Sequence, residues 1–204
     1  MARNQKKMRI LSEKEEQDLV SAINNRRDEK LVKFTLNHGL RNSEAVSLKR
    51  KHVDLDNWTL WVEDGKRSKD RSIGINIGIR DEVKNYIEEL DREDYLFPSP
   101  ITNSHISTRH FQTMIRRNAI EAGLYKKHEK VVRKPIDVTQ KIPYKERVTP
   151  HTLRHTFSVR LLRNNTPIQE VSKMLGHEKV DITIESYDVY DVEVGRKYLD
   201  DTFG

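Results

Sequence analysis

The segment TPHTLRHTFSVRLLR, residues 149–163, carries both an apolar stripe and a polar face. Apolar residues recur in it at every fourth position, namely Leu153, Phe157 and Leu161. This spacing predicts an amphipathic helix that packs on a core. His151 and Arg154 are three residues apart, which places both side chains on one face of that helix. The polar residues could be a solvated helix face, a metal site, or part of an active site.

The metal interpretation has little support in the sequence. His151 and His155 have the i, i+4 spacing of a helical metal pair, but no glutamate lies between them as zincins require. No further cluster of ligand residues is apparent. For His155 we expect a structural role, in which it bonds the backbone or a neighbour within the helix, with support of an adjacent site as the alternative.

The remainder of the chain has mainly helical patterns and one change of period. Ser12 and Glu15 form a capping box before a helix, and Gly39 is expected to end the next one. Strand-like runs at 58–62 and 72–77 flank a basic turn and predict a β-hairpin. Further helices are predicted at 43–48, 80–90, 107–123, 181–190 and 192–199. The predicted fold class is mainly α with a small antiparallel β-sheet.

A helix start is also predicted just after the opening segment. Thr166 is the expected N-cap residue, Pro167 the first helical residue, and Gln169 the capping-box partner. This helix should run to Gly176.

Composition restricts the classes of function. The chain has 204 residues, a mean hydropathy of -0.82 and no cysteine. Without cysteine there can be no disulfide, no Cys-zinc site and no thiol catalysis, which fits an intracellular protein. No apolar run is long enough to span a bilayer. The net charge of +6 suggests a polyanionic partner.

Positive charge is concentrated between residues 124 and 148. The segment from Lys126 to Arg147 contains eight Lys or Arg residues but only three acidic residues, and Pro135 and Pro143 interrupt it. We expect a loop or short ribbon suited to a phosphate backbone, with an ordinary solvated linker as the alternative. The candidate DNA-binding residues are Lys126, Lys127, Lys130, Arg133, Lys134, Lys145 and Arg147, together with Arg67 and Lys69 on the hairpin turn.

Four segments in a fixed order change the interpretation of the opening helix. They are NHGLRNSEAVSLKRKHVDL, DGKRSKDR, HTLRHTF and MLGHEKVDITIESYDVY. This series resembles the catalytic domain of the tyrosine recombinases, the phage-integrase and Xer-type family, from about residue 11 to residue 190. The resemblance implies the catalytic-domain fold of that family and double-stranded DNA as the partner.

The resemblance also assigns the candidate catalytic residues. By their motifs they are Arg41 in GLRNSE, Lys66 in GKRSKDR, His151 and Arg154 in HTLR, His177 in LGH, and the nucleophile Tyr187. In most relatives the tyrosine follows the LGH histidine by about nine residues, whereas Tyr187 follows His177 by ten, so Tyr190 is the alternative nucleophile. Glu44 matches the acid after the first arginine, for which we expect a structural or orienting role.

The resemblance implies a reaction without metal, ATP or other cofactor. Tyr187 would attack the phosphorus and form a 3′-phosphotyrosyl bond, and Lys66 would protonate the departing 5′-oxygen. Arg41 and Arg154 would hold the non-bridging oxygens. His151 would be general base or acid, and His177 would donate a hydrogen bond to the phosphate.

The expected organisation is a basic arm at 1–10, the catalytic domain at 11–190 and a tail helix at 191–204 that could pack on a neighbouring protomer. Relatives carry an N-terminal DNA-clamping domain, so the chain is either a fragment or a minimal recombinase. The resemblance implies a tetramer on paired DNA sites, encoded by a mobile element or serving to resolve chromosome dimers. Localisation is expected to be cytoplasmic and nucleoid-associated, or intracellular in a host if a virus encodes the chain. The alternatives are a type IB topoisomerase-like enzyme and a DNA-binding protein that does not cleave.

Overall fold

The computed structural model describes residues 9–63, 70–102, 104–125 and 147–177. Within these ranges the α-helices are α1 (Glu13–Ser21), α2 (Arg26–His38), α3 (Asn42–Ser47), α4 (Arg80–Ile87), α5 (Thr108–Glu121), α6 (Pro150–Arg163) and α7 (Ile168–Leu175). The strands are β1 (Val53–Asp54), β2 (Thr59–Val62) and β3 (Arg71–Gly74). The predicted fold class, mainly α with a small antiparallel β-sheet, is confirmed. No helix in these ranges has both the length and the apolar character that crossing a bilayer requires.

The ends of the first two helices follow the predicted capping chemistry. Ser12 Oγ accepts a hydrogen bond from the Glu15 backbone N–H, and the Glu15 carboxylate accepts one from the Ser12 N–H. Helix α2 ends at Gly39 with a φ of +60°. A Cβ atom on residue 39 would lie 2.4 Å from the Phe157 ring, so both the backbone conformation and the packing of α2 against α6 require glycine there.

The predicted hairpin is present and forms part of a three-stranded antiparallel sheet in the order β1-β2-β3. Leu60 pairs with Ile73 in the register of β2 with β3, and both side chains are buried. Strand β1 was not anticipated, because two residues are too few to display the alternation that identifies a strand. The turn at 64–69, which contains Lys66, Arg67 and Lys69, lies outside the described residues.

Helix α6 lies at the centre of the molecule and packs against α2, α5 and α7. Every residue from 152 to 159 is buried, so the prediction of an amphipathic helix is wrong for the middle of α6. The polar residues of this stretch fit the interior because their hydroxyls bond to the helix's own carbonyls. Thr156 Oγ1 donates to the Thr152 carbonyl at 2.9 Å, and Ser158 Oγ donates to the His155 carbonyl at 2.8 Å.

Helix α7 begins later than the sequence suggested. Its N-cap residue is Pro167 and no side chain caps it, so the predicted capping by Thr166 and Gln169 is wrong. The Thr166 N–H instead donates to the Leu161 carbonyl at 3.0 Å and closes the turn between α6 and α7. The predicted end at Gly176 is confirmed.

Several predictions concern residues outside the described ranges. These are most of the basic arm (1–8), the body of the basic segment (126–146), the helices at 181–190 and 192–199, and the tail.

Candidate active site

Three segments that are distant in sequence meet at one place. They are the connection between α2 and α3, the first half of α6, and the end of α7. Arg41 Nη2 donates to the Gly176 carbonyl at 2.9 Å, which joins the first segment to the third. Arg154 Nη2 lies 3.1 Å from His177 Nε2, which joins the second to the third. The fold therefore brings together three of the candidate residues, Arg41, Arg154 and His177.

The end of α7 is closed by a Schellman motif. The His177 N–H donates to the Ser172 carbonyl at 3.1 Å, and the Gly176 N–H donates to the Lys173 carbonyl at 3.0 Å. Gly176 adopts a φ of +64°, which favours glycine. The motif places His177 directly beyond the helix end and turns its side chain toward Arg154.

Three consecutive carbonyls at this helix end each accept a hydrogen bond from a different arginine. The Met174 carbonyl accepts from Arg71 Nε at 2.7 Å, the Leu175 carbonyl from Arg154 Nη2 at 2.6 Å, and the Gly176 carbonyl from Arg41 Nη2 at 2.9 Å. The last carbonyls of a helix carry partial negative charge and lack partners within the helix. The arginines satisfy these groups and gather positive charge at one point.

Glu44 holds two of these arginines. Its carboxylate accepts from Arg41 through both the backbone N–H and Nη1, each at 2.7 Å. It also accepts from Arg71 Nη1 at 2.9 Å and from Arg71 Nη2 at 2.8 Å. Burial alone would raise the pKa of Glu44, but the bonds from Arg71 and Arg41 outweigh it and hold the pKa at about 2. The carboxylate is therefore ionised at neutral pH.

Arg154 is almost completely buried, with 4% of its surface exposed. Nη1 donates to the Gly39 carbonyl at 2.6 Å, and Nη2 donates to the Leu175 carbonyl at 2.6 Å. Backbone groups from two segments thus fix the plane of this guanidinium. A side chain held in this way can bind an anion with little reorganisation.

An open cleft of about 350 Å³ lies beside the arginines. Its lining residues are Leu40, Arg41, Asn42, Gln112, Thr149, Pro150, His151 and Arg154. His151 is exposed and stands in the first turn of α6, where Thr149 is the N-cap and Pro150 the first helical residue. The sequence had not identified Asn42 or Gln112. Asn42 Nδ2 donates to the Thr108 carbonyl at 3.1 Å and so ties α3 to the start of α5.

The histidines at the site favour the neutral form. Burial lowers the pKa of His177 to about 4, and the positive charges of Arg154 and Arg41 contribute. A guanidinium can only donate, so His177 Nε2 accepts from Arg154 and the ring hydrogen lies on Nδ1. The pKa of His151 is also lowered, because protein atoms around the ring exclude water from part of it. The positive charge of Arg154 lowers this pKa further. Burial also lowers the pKa of His155 to about 4.

Other candidate residues have no described position. Those outside the described ranges are Lys66, Arg67, Lys69, Lys126, Lys127, Lys130, Arg133, Lys134, Lys145, Tyr187 and Tyr190. Arg147 is exposed and lies just before α6. Within the described part of the chain, no three His, Asp or Glu side chains gather as a metal site would need.

Arg71 was not identified as a site residue from the sequence, although it ends the GKRSKDR segment. A signal was present in the pattern of β3. Arg71 and Ile73 alternate with Ser72 and Gly74, and the structure buries the first pair and exposes the second. An arginine at an inward position of a strand needs a buried acceptor. The alternation in β3 could therefore have indicated that Arg71 has such an acceptor, but not which residue provides it.

Comparison with known proteins places the chain in a family. The profile of the Phage integrase family matches residues 9–192. The tyrosine recombinase XerA of Thermococcus kodakarensis is 30% identical over 180 residues, which cover 86% of this chain and 56% of that protein. The chain spans about half the length of the curated relatives it matches.

Solved structures resemble the fold over nearly the whole chain. A crystal structure of XerA recombinase has a TM-score of 0.71 at 28% identity and covers 97% of this chain and 66% of the other. The Tn1549 transposon integrase, solved in complex with transposon right end DNA, has a TM-score of 0.74 at 16% identity. That match covers 100% of this chain and 69% of the other, and at this identity it concerns the fold alone.

Proposed function

Because this chain belongs to the phage integrase family, we propose that it is the catalytic part of a site-specific DNA recombinase. It cuts and rejoins double-stranded DNA through a covalent 3′-phosphotyrosyl intermediate. The observation that carries the proposal is that Arg41 binds the end of α7 and Arg154 binds His177, beside a cleft that His151 also lines.

Arg41 and Arg154 are the clamp for the phosphate to be cut. Phosphoryl transfer spreads negative charge over the non-bridging oxygens, and preorganised donors stabilise it best in a site shielded from water. Both guanidiniums are anchored by carbonyls and both line the cleft. Lysine would supply a charge but not the planar fork of donors.

The two histidines have different roles. His151 is neutral at neutral pH because its pKa is lowered, so it can accept the proton of the attacking tyrosine. His177 donates a hydrogen bond to a phosphate oxygen. In the tautomer that the structure favours, the donor is Nδ1–H. If a phosphate oxygen replaces His177 as the acceptor for Arg154 Nη2, the ring can take its other tautomer and donate through Nε2–H.

The bond changes balance without an external energy source. The Tyr187 oxygen bonds to phosphorus, its proton leaves to His151, and the bond from phosphorus to the 5′-oxygen breaks. Lys66 gives that oxygen a proton, which yields a free 5′-hydroxyl. Attack by another 5′-hydroxyl on the phosphotyrosyl bond reverses these steps and rejoins DNA, with no need for metal or ATP. Glu44 orients Arg41 and takes no part in the proton transfers.

The wider assembly is part of the same proposal. The basic segment from Lys126 to Arg147 and the hairpin cations Arg67 and Lys69 bind the DNA backbone. The chain acts as a tetramer on two paired sites, in a mobile element or in the resolution of chromosome dimers.

Covalent trapping tests the nucleophile and the reaction class together. The protein is incubated with nicked duplexes made from candidate host or element DNA, so that cleavage releases a short fragment and cannot reverse. We expect a slow, protease-sensitive DNA band on a denaturing gel that Tyr187→Phe abolishes and Tyr190→Phe retains.

The other outcomes are equally informative. Loss with Tyr190→Phe alone would keep the reaction and correct the nucleophile. Relaxation of supercoiled DNA without a preferred site would favour a topoisomerase-like enzyme. No covalent band on DNA that the protein binds would contradict cleavage by this chain.

A further inference from the structure

We infer that Arg71 is a positioning residue for cleavage, which holds Arg41 and the end of α7 in the geometry that the phosphate clamp requires. This inference rests on the proposed function. Arg71 does not appear among the described residues that line the cleft, so it acts on the substrate only through its neighbours.

Arg71 connects the sheet to both halves of the site. The residue is 8% exposed and begins β3. Its Nε donates to the Met174 carbonyl in the last turn of α7, at 2.7 Å. Its Nη1 and Nη2 donate side by side to Glu44 on α3, at 2.9 and 2.8 Å. One guanidinium therefore sets the distance between α3, which follows Arg41, and α7, which precedes His177.

Each oxygen of Glu44 is shared between Arg71 and Arg41. Oε1 accepts from Nη1 of both arginines, and Oε2 accepts from Arg71 Nη2 and the Arg41 backbone N–H. The fork of Arg71 thereby fixes the plane of the carboxylate, and the carboxylate fixes the Arg41 guanidinium. Without Arg71, Glu44 would turn toward the other nearby guanidinium, that of Arg154, whose Nη1 is 3.9 Å from Oε2.

The helix end is shaped around the Arg71 side chain. A Cβ atom on residue 176 would lie 2.9 Å from Arg71 Nη1 and 3.1 Å from its Cδ. Glycine at this position thus serves the Schellman turn and also leaves room for the guanidinium. The same residue supplies the carbonyl that Arg41 binds, so the two arginines are coupled through Gly176 as well as through Glu44.

Stability alone cannot test this role, because removing one member of any buried ion pair destabilises a fold. The matched control is Arg27, whose guanidinium also binds a carboxylate and a carbonyl, those of Asp28 and Pro98, but at the start of α2. Arg71→Met and Arg27→Met are compared with the wild-type chain on the nicked duplex that the wild type converts to a covalent complex. Thermal unfolding confirms that each variant is folded, and fluorescence anisotropy gives its Kd for the duplex.

We expect Arg71→Met to lower the single-turnover rate of covalent complex formation at saturating protein by about 10²-fold, the size of loss that a misplaced clamp causes. Its Kd for the duplex should remain close to that of the wild type, since Arg71 does not face the cleft. Arg27→Met should cut at the wild-type rate.

A second substrate separates positioning of the clamp from general damage. In a methylphosphonate at the cleavage position, a methyl group replaces one non-bridging oxygen and removes the charge that the clamp neutralises. If Arg71 acts through Arg41, the deficit of Arg71→Met relative to wild type shrinks on this substrate. An equal deficit on both substrates would overturn the inference.

The remaining outcomes are also decisive. If the wild-type chain cuts DNA and Arg71→Met cuts it equally fast, the result contradicts this inference but not the proposed function. A wild-type chain that cuts no DNA contradicts the proposed function and the inference with it. If Arg71→Met does not fold, Arg71→Lys takes its place, because it keeps the charge and loses the fork. It should show a deficit that the methylphosphonate also reduces, and an undiminished rate would overturn the inference.

Discussion

At the residue scale, Glu44 is the acid on which the arginine cluster depends. The residue is 6% exposed, and its carboxylate accepts four hydrogen bonds from Arg41 and Arg71. Loss of its charge would leave buried guanidiniums without their counter-ion. The pKa of Glu44 is depressed to about 2, so the stability that this carboxylate contributes is complete above its ordinary pKa of 4.5 and is lost as pH falls toward 2.

Glu44→Gln should therefore lower the free energy of unfolding at pH 7 by about 3 kcal/mol, as expected when one partner of a buried pair is removed. Urea denaturation measures this change. The control is Glu93→Gln, because Glu93 pairs with Lys49 and Lys51 at the surface and should change stability little. Similar losses for both variants would contradict the buried role of Glu44.

The geometry of Arg154 leads to a second prediction at this scale. Arg154→Lys keeps a charge but cannot donate at once to the Gly39 and Leu175 carbonyls and to a phosphate. We expect the rate of covalent complex formation to fall by about 10²- to 10³-fold, the cost of losing one preorganised oxyanion donor. Arg160→Lys is the matched control on the same helix, since Arg160 pairs with Glu16 away from the cleft. Equal rates for the wild type and Arg154→Lys would exclude the clamp role.

At the element scale, the end of α7 is the structural centre of the site. A Schellman turn ends the helix, and Arg71, Arg154 and Arg41 bind in order the carbonyls of Met174, Leu175 and Gly176. A helix end that attracts cations thus assembles the cations that a phosphate would need. The element explains why residues from four parts of the chain adopt one arrangement.

Two glycines allow this element to be tested. Gly176 and Gly123 both have positive φ, +64° and +67°, so alanine should cost each about 1 kcal/mol of backbone strain. A Cβ atom on residue 176 would meet Arg71 at 2.9 Å, whereas one on residue 123 would meet no atom within 4 Å. Gly176→Ala should therefore lower both the melting temperature and the cleavage rate, and Gly123→Ala only the melting temperature, and by less. Calorimetry and covalent trapping measure these effects, and equal cleavage by the two variants would contradict the coupling.

At the scale of the whole molecule, the central packing of α2 and α6 buries histidines in their neutral form. His38 is completely buried, its Nδ1–H donates to the Phe34 carbonyl at 2.9 Å, and burial lowers its pKa to about 4. The unfolded chain binds a proton at His38 below pH 6.5, whereas the folded chain does so only near pH 4. The stability linked to this histidine is thus complete above pH 6.5 and falls as pH decreases from 6.5 to 4.

His38→Leu should flatten this acid dependence. We expect the loss of unfolding free energy between pH 6.5 and pH 4 to be smaller in the variant by on the order of 2 kcal/mol. Urea denaturation at a series of pH values measures the slope. His110→Leu, at an exposed position of α5, is the control. An unchanged slope in His38→Leu would show that other groups cause the acid sensitivity.

Sequence patterns predicted much of this molecule because the signals involved are local. The capping box at Ser12, the glycine stop at Gly39 and the β-hairpin depend on neighbours a few residues apart, and all are confirmed. The N-cap at Thr166 was wrong because a backbone bond to Leu161 closes the turn without using the side chain. The amphipathic α6 was wrong in its middle because hydroxyls that bond within the helix can be buried like apolar groups.

By itself, the sequence determined the fold class and the family, together with the identity of Arg41, His151, Arg154 and His177 as candidate residues. The order of their motifs along the chain was sufficient to identify them, because the chemistry of the site requires particular residue types in particular motifs. Only the tertiary structure decided how they are held, with Arg71 joining Glu44 to the end of α7. That arrangement depends on hydrogen bonds between groups 27 to 135 residues apart, and the partner of a buried charge at such a distance leaves no local pattern.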